Sequence, residues 1–182
     1  EHMSSSTKRI ATGIDVGTHA TRVVIVEHSR GTPPVIIGTG VSETRGLRHG
    51  YIINKIDAIR SIKNAIAHAE KMAGFKIKNA ILSVGGISLE SVVSHGSAII
   101  SRASNEVSEI DIKKAMAEAE ENLTHLTNKR IIYRVSLRHK LDNREVLGES
   151  LGMIGTKLDV KMLFITCLEQ HLNDIIRTIE DL

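Results

Sequence analysis

The sequence predicts an α/β fold whose elements run βββαβ and then βα, interrupted by an α+β insertion over residues 86–156. Three observations predict it. Apolar residues alternate with polar ones from Arg9 to Glu27 and again from Leu158 to Thr166, the period of a half-buried strand. Between residues 56 and 73 the period changes to three and four, that of an amphipathic helix. Glycine joints at Gly85-Gly86 and at Gly148, Gly152 and Gly155 then set off a segment of different character.

The first two strands are Arg9–Val16 and Arg22–Val26, parted by Gly17-Thr18-His19-Ala20. Gly31-Thr32-Pro33-Pro34 is a turn, and Val35-Ile36-Ile37 opens the third strand of an antiparallel meander. Gly46-Leu47-Arg48-His49-Gly50 reads as a loop held between two glycines. A long helix starts at Asn54 or Asp57, shows Ile56, Ile59, Ile62, Ile66, Ala69 and Ala73 on one face, and ends at Gly74. The apolar run Lys78–Val84 is expected as a parallel strand buried on both faces.

Within the insertion, Leu89–Val93 and Ser97–Ser101 are expected as a strand pair. Ser108 and Asp111 give a helix start of capping-box type, with Ile112, Met116, Ala119 and Leu123 as its stripe. A basic strand follows. Leu158–Thr166 is then expected to rejoin the first sheet, and Leu168, Leu172, Ile175, Ile176 and Ile179 line a terminal helix. With the insertion removed, the order matches one lobe of the actin and ribonuclease-H type of fold. The expected domains are a tag remnant and leader at 1–8, a lobe at 9–85 plus 157–182, and an interaction subdomain at 86–156.

Composition narrows the function. A chain of 182 residues buries about 70% of its unfolded surface without disulfide or metal staples. Aromatics are only 2%, too few to stack single-stranded bases, and a net charge of +3 is too small for a nucleic-acid footprint. The single Cys167 excludes an internal disulfide, suits a reducing cytoplasm, and reads as a small buried hydrophobe. No stretch approaches the roughly 18 apolar residues of a membrane span. His19, His49, His68, His95, His125, His139 and His171 are scattered without ligand spacing, and read as surface or internally satisfied histidines. The chain ends directly after a helix, as a piece of a longer protein would.

Chemistry is best placed at the first hairpin. Gly13-Ile14-Asp15-Val16-Gly17-Thr18 sets a carboxylate at a strand end beside a tight turn. Such a turn can aim successive N–H groups at a phosphate, and glycine permits the close approach. Asp15 can hold a water of hydrated Mg²⁺, while Thr18 and Thr21 offer hydroxyls and His19 lies in the turn between them. The alternative is a plain hairpin in which Asp15 and Gly17 only satisfy turn geometry.

These residues resemble the first phosphate motif of the actin-like ATPases. The stretch Ser42-Glu43-Thr44-Arg45-Gly46-Leu47-Arg48-His49-Gly50-Tyr51-Ile52-Ile53-Asn54 is similar to the one that follows that motif in the bacterial cell-division family FtsA. Ala80–Gly86 and Lys161–Cys167 are similar to the same family, and the resemblance runs from about Arg9 to Leu182. It implies an N-terminal part of an FtsA-like protein, with Asp15, Gly17, Thr18, His19 and Thr21 toward ATP and Asp15 toward Mg²⁺. It implies self-assembly into a filament and contacts with later division proteins through the insertion. It also implies that the tubulin-like ring protein FtsZ and the membrane are reached through regions this chain lacks, on the cytoplasmic face at the division site. No second phosphate motif of the D-x-G-G-G-T kind occurs, so this chain alone is expected to bind nucleotide weakly and to be no enzyme. A PilM-like pilus adaptor and a lobe of an actin-fold small-molecule kinase are the alternatives.

The basic strand Arg130–Lys140 is a second candidate. Strand alternation sends Arg130, Arg134, Arg138 and Lys140 to one side and Ile131, Tyr133, Val135 and Leu137 to the other. Facing the acidic helix region of Glu106, Glu109, Asp111, Glu118, Glu120 and Glu121, these cations are candidate interaction residues. The simpler reading is a solvated strand whose charges discourage promiscuous pairing.

Overall fold

Along the first strand, β1 (Arg9–Val16), Thr12, Ile14 and Val16 are buried while Ala11, Gly13 and Asp15 face the other way. This alternation fixes which side of the sheet receives a helix. The structure is a computed structural model that describes residues 8–182, so all but the last residue of the expected leader lies outside the described residues. β2 (Ala20–His28) and β3 (Val35–Glu43) continue an antiparallel meander. β4 (Leu47–Arg48) and β5 (Tyr51–Ile52) form a small hairpin across His49-Gly50, both with positive φ. Then comes α1 (Lys55–Ala73), followed by the short strand β6 (Ile81–Ser83), which pairs parallel to β1. The sheet order is β3-β2-β1-β6.

Local chemistry explains the boundaries of α1. The Asn54 side chain accepts from the N–H groups of Ile56 and Asp57, and Gly74 closes the helix at φ 81°. The packed face keeps most of the predicted stripe, with Ile62 and Ala69 in the core and Ile66 and Ala73 packed against it, but it is rotated toward the small residues. Ala58, Ser61, Ile62, Ala65 and Ala69 are buried, whereas Ile56 is 71% exposed. The reason lies on β3. A Cβ on Gly38 would stand 2.6 Å from the Ala69 carbonyl oxygen, and one on Gly40 would run into that of Ala65. Backbone approaches backbone there, and only small residues fit.

The second unit comprises Ser88–Glu169. Its sheet contains β7 (Glu90–Ile99), β8 (Lys129–Leu141), β9 (Arg144–Val146) and β10 (Lys157–Leu168) in the order β7-β10-β8-β9. α2 (Glu109–Glu121) lies on one face, capped reciprocally by Ser108 and Asp111 as expected. Phe164, Met162, Leu158, Val160, Ala115 and Ala119 are the centre of this core. The β8–β9 turn is the two-residue loop Asp142-Asn143, both at positive φ, the conformation that suits a tight hairpin.

Three expectations change. Leu89–Val93 and Ser97–Ser101 are not a pair but belong to one strand, because Gly96 is a packing site rather than a break: a Cβ there would strike Ala115 and Ala119 of α2. Lys157–Leu168 does not rejoin the first sheet. It is the central strand of the second, paired with β7 and β8, so the chain re-enters the first unit at Gln170 on α3 (Glu169–Glu180) rather than at Lys157. β6 is not buried on both faces either. It pairs on one side only, and Ile81 is 74% exposed.

Side chains of α2 also reach the open edge of β7. The Ser97 N–H donates to Glu118, and Asn122 Nδ2 donates to the His95 carbonyl at 2.9 Å. Both backbone groups are thereby satisfied without a further strand.

Close helix–strand approach makes a direct prediction. Gly40→Ala should destabilise the first unit, and Gly96→Ala the second, by about 1–3 kcal/mol, the usual range for overpacking. Chemical denaturation of each variant would measure it. An exposed strand glycine given the same change would instead gain slightly.

Candidate functional site

The β1–β2 turn is built by one hydrogen bond, Gly17 N–H to the Ala20 carbonyl at 3.1 Å. Among the described residues, the N–H groups of Thr18 and His19 have no backbone acceptor, so two donors remain at its tip. Asp15 precedes them on β1 with its side chain half exposed. Ser83, at the end of β6, donates to Asp15 Oδ1 at 2.6 Å, and Arg22 lies 3.8 Å from Oδ2. The parallel register that sets Asp15 beside Ser83 makes this pair.

Thr18 is held from behind by the Gly50 N–H, 3.0 Å from its Oγ1. His19 is exposed, and its carbonyl accepts from Thr44 N–H at 3.0 Å. Thr21 departs from expectation. It stands with Val23 and Ile25 on the buried face of β2, fully buried, with its hydroxyl 2.8 Å from that of Thr44. Its chemistry is spent inside the core, so Asp15, Gly17, Thr18 and His19 surround the turn and Thr21 does not.

The basic strand does not keep one face. Leu137 and Ile132 are skipped where β8 pairs with β10, and each bulge reverses the alternation. Arg134 therefore pairs across from buried Phe164, on the α2 side, and its guanidinium binds Glu120 with two contacts of 2.7 Å. That fork holds the Glu120 carboxyl below its usual range and raises Arg134 further. Arg138 and Lys140 lie on the opposite face beside Lys161 and Asp159, with Tyr133 and Val135 on their own side of the strand. Arg130 reaches Glu169 at 3.4 Å and Arg138 reaches Glu145 at 3.0 Å. The four cations are thus not a single patch.

Two other groups have chemistry that sequence order did not reveal. His139 lies between the Ser136 hydroxyl, 2.8 Å from Nε2, and the buried Ser150 hydroxyl, 2.7 Å from Nδ1. Burial pushes His139 below its ordinary value of 6.5. Among the described residues no carboxylate is hydrogen-bonded to this ring, and it serves to tie the loop after β9 to β8. His171 of α3, 2% exposed, lies 3.1 Å from the Gly85 carbonyl and stacks obliquely on Tyr51 at 4.6 Å between ring centroids. Cys167 is buried with its thiol pushed up by that burial, the opposite of an activated nucleophile. Among the described residues no three His, Cys, Asp or Glu side chains are grouped to hold a metal, and no helix is long and apolar enough to cross a membrane.

A meander extended by one parallel strand, broken by a smaller α+β unit after that strand, defines the class: an actin and ribonuclease-H type lobe with an inserted domain. Residues 86–166 match the family described as the SHS2 domain inserted in FTSA. The cell division protein FtsA of Pseudomonas aeruginosa is 29% identical over 159 residues, 87% of this chain and 37% of that protein. FtsA of Borreliella burgdorferi is 27% identical over 94% of this chain and 41% of its own length. FtsA of Bacillus subtilis is 27% identical over 92% and 38%. The chain is therefore similar to FtsA over nearly its whole length, and its second unit coincides with the residues that match the SHS2 domain of that family. It spans about two fifths of the length of the relatives it matches.

The buried imidazole gives a pH dependence whose sign is fixed. His139 is lowered in the folded state, so the unfolded chain binds more protons and stability rises with pH. This contribution is complete above about pH 6.5, the unfolded value, and falls away below it. The melting temperature followed from pH 7.5 down to 5 should fall less steeply in His139→Gln than in the parent. Identical slopes would show that the ring is not the titrating group.

Proposed function

We propose that this chain supplies the first phosphate turn of an ATP cleft, and an inserted assembly domain, to an FtsA-like cell-division protein. The observation that carries the nucleotide reading is the turn itself. Two N–H groups without a backbone acceptor stand at its tip, one hydroxyl is fixed at its flank, and one carboxylate lies beside it. This donor set suits a phosphate chain with its cation. Hydrated Mg²⁺ on phosphates needs only one or two carboxylates, and Asp15 supplies one, steadied by Ser83.

Each residue then has a role. Gly17 permits the tight turn, the Thr18 and His19 amides and the Thr18 hydroxyl meet phosphate oxygens, and Asp15 takes a water of Mg²⁺. The ion, when bound, offsets phosphate charge. On this reading the chain by itself is a binding and assembly element rather than an enzyme.

The second unit is the part that meets other proteins: further copies of the FtsA-like protein and later division proteins. Lys140, on the face away from α2, is the cation of this strand that has no ion-pair partner among the described residues and is open to such contacts, while Arg130, Arg134 and Arg138 are engaged by Glu169, Glu120 and Glu145. FtsZ and the membrane are reached through parts of the protein outside this chain, on the cytoplasmic face at the division site. The relatives are division proteins, which favours this reading over a pilus adaptor or a small-molecule kinase.

In the full-length protein, Asp15→Ala should weaken Mg·ATP binding about tenfold, the scale of one lost charge-assisted contact. Thr21→Val should leave affinity unchanged and lower the melting temperature instead, because it strands the Thr44 hydroxyl. Titration calorimetry with parallel melts measures both. Unchanged affinity in Asp15→Ala would remove the assignment.

A further inference from the structure

Behind the turn lies a continuous set of contacts that ends on a buried histidine. A carbonyl oxygen can only accept, so the 3.1 Å contact between His171 Nε2 and the Gly85 carbonyl places the proton on Nε2. Tyr51 covers the ring. Gly86, next along and at φ 109°, lies so near Gly50 that a Cβ on Gly50 would come within 2.8 Å of the Gly86 Cα. Gly50 in turn donates its N–H to Thr18 Oγ1 at 3.0 Å. A hydroxyl that accepts from behind keeps its own proton free to donate forward.

We infer that His171 is a positioning residue for the phosphate turn, acting through Gly85-Gly86 and Gly50 to fix the Thr18 hydroxyl. The inference rests on the phosphate reading of that turn and adds to it a residue more than 150 positions away in sequence. Two features make a purely space-filling role insufficient. The ring's polar edge is aimed at the one carbonyl that precedes Gly86. Both glycines of the Gly50–Gly86 contact have positive φ, so the loops meet through backbone alone and a shift in one is passed to the other.

The test uses the full-length protein and Mg·ATP. His171→Phe keeps a ring against Tyr51 and removes the donor; His171→Gln restores a donor at similar reach. His171→Phe should weaken Mg·ATP binding about fivefold, the scale of one neutral hydrogen bond, and His171→Gln should recover most of it. Combined with Thr18→Val, His171→Phe should cost little more than Thr18→Val alone, since both act on one hydroxyl. In the 182-residue chain without nucleotide, amide exchange at Gly50 should quicken in His171→Phe. Should that variant fail to fold, His171→Asn, whose shorter amide stops short of Gly85, takes its place.

Affinity lost in Asp15→Ala but intact in His171→Phe would overturn the positioning role and leave the phosphate reading standing. Losses that multiply in the double variant would also overturn it, by showing independent action. Affinity intact in Asp15→Ala would overturn both.

Discussion

Both units depend on the same contact: a helix backbone set directly on a strand glycine. Gly38 and Gly40 of β3 receive Ala65 and Ala69 of α1, and Gly96 of β7 receives Ala115 and Ala119 of α2. A chain with only 2% aromatic residues has few large side chains to fill a wide gap between layers. Drawing the layers together closes that gap, and the alanines then contribute by proximity rather than by bulk. The rest follows from this seating. Once α1 is drawn onto β3, Ile62 stays in the core between its alanines, while Ile66 packs against the same core from its margin, as does Ile179 of α3. The start of α1 is then beside Gly46, whose loop brings Gly50 to Thr18 at the β1–β2 turn.

Much of this was legible because it is local. Asn54, Gly74 and the Ser108–Asp111 pair end helices by hydrogen bonds within a few residues of themselves, and all four serve as expected. The meander followed from alternation, and the parallel direction of β6 from the helix before it. What failed was non-local. Gly96 looks like a strand break in sequence and is instead the place where α2 sits. An alternating run such as Lys157–Leu168 declares a strand but not the sheet it joins. Bulges at Ile132 and Leu137 leave no residue signature, and with them the single cationic face is lost. The burial of Thr21 is legible too, since alternation places it with Val23 and Ile25. His171 gave no signal of its own, for it stands one position from the apolar Leu172 of its helix.

Charge in the second unit is largely spoken for. Arg134 is bound to Glu120, Arg130 to Glu169 and Arg138 to Glu145, and Glu118 is turned inward to the β7 backbone. Exposed pairs of this kind add little stability each, and the median is below about 1 kcal/mol. Their value here is geometric: Arg134–Glu120 ties α2 to β8, and Arg138–Glu145 ties β8 to β9.

The covered β7 edge limits how any other chain could approach the second unit there. An open strand is an invitation to main-chain pairing, which recognises backbone and ignores most of the visitor's sequence. With Glu118 and Asn122 occupying the Ser97 and His95 groups, that invitation is withdrawn over the middle of the strand. A partner approaching there has to be recognised by its side chains. Such a surface discriminates among visitors, and substitutions on either side can retune it without rebuilding the sheet.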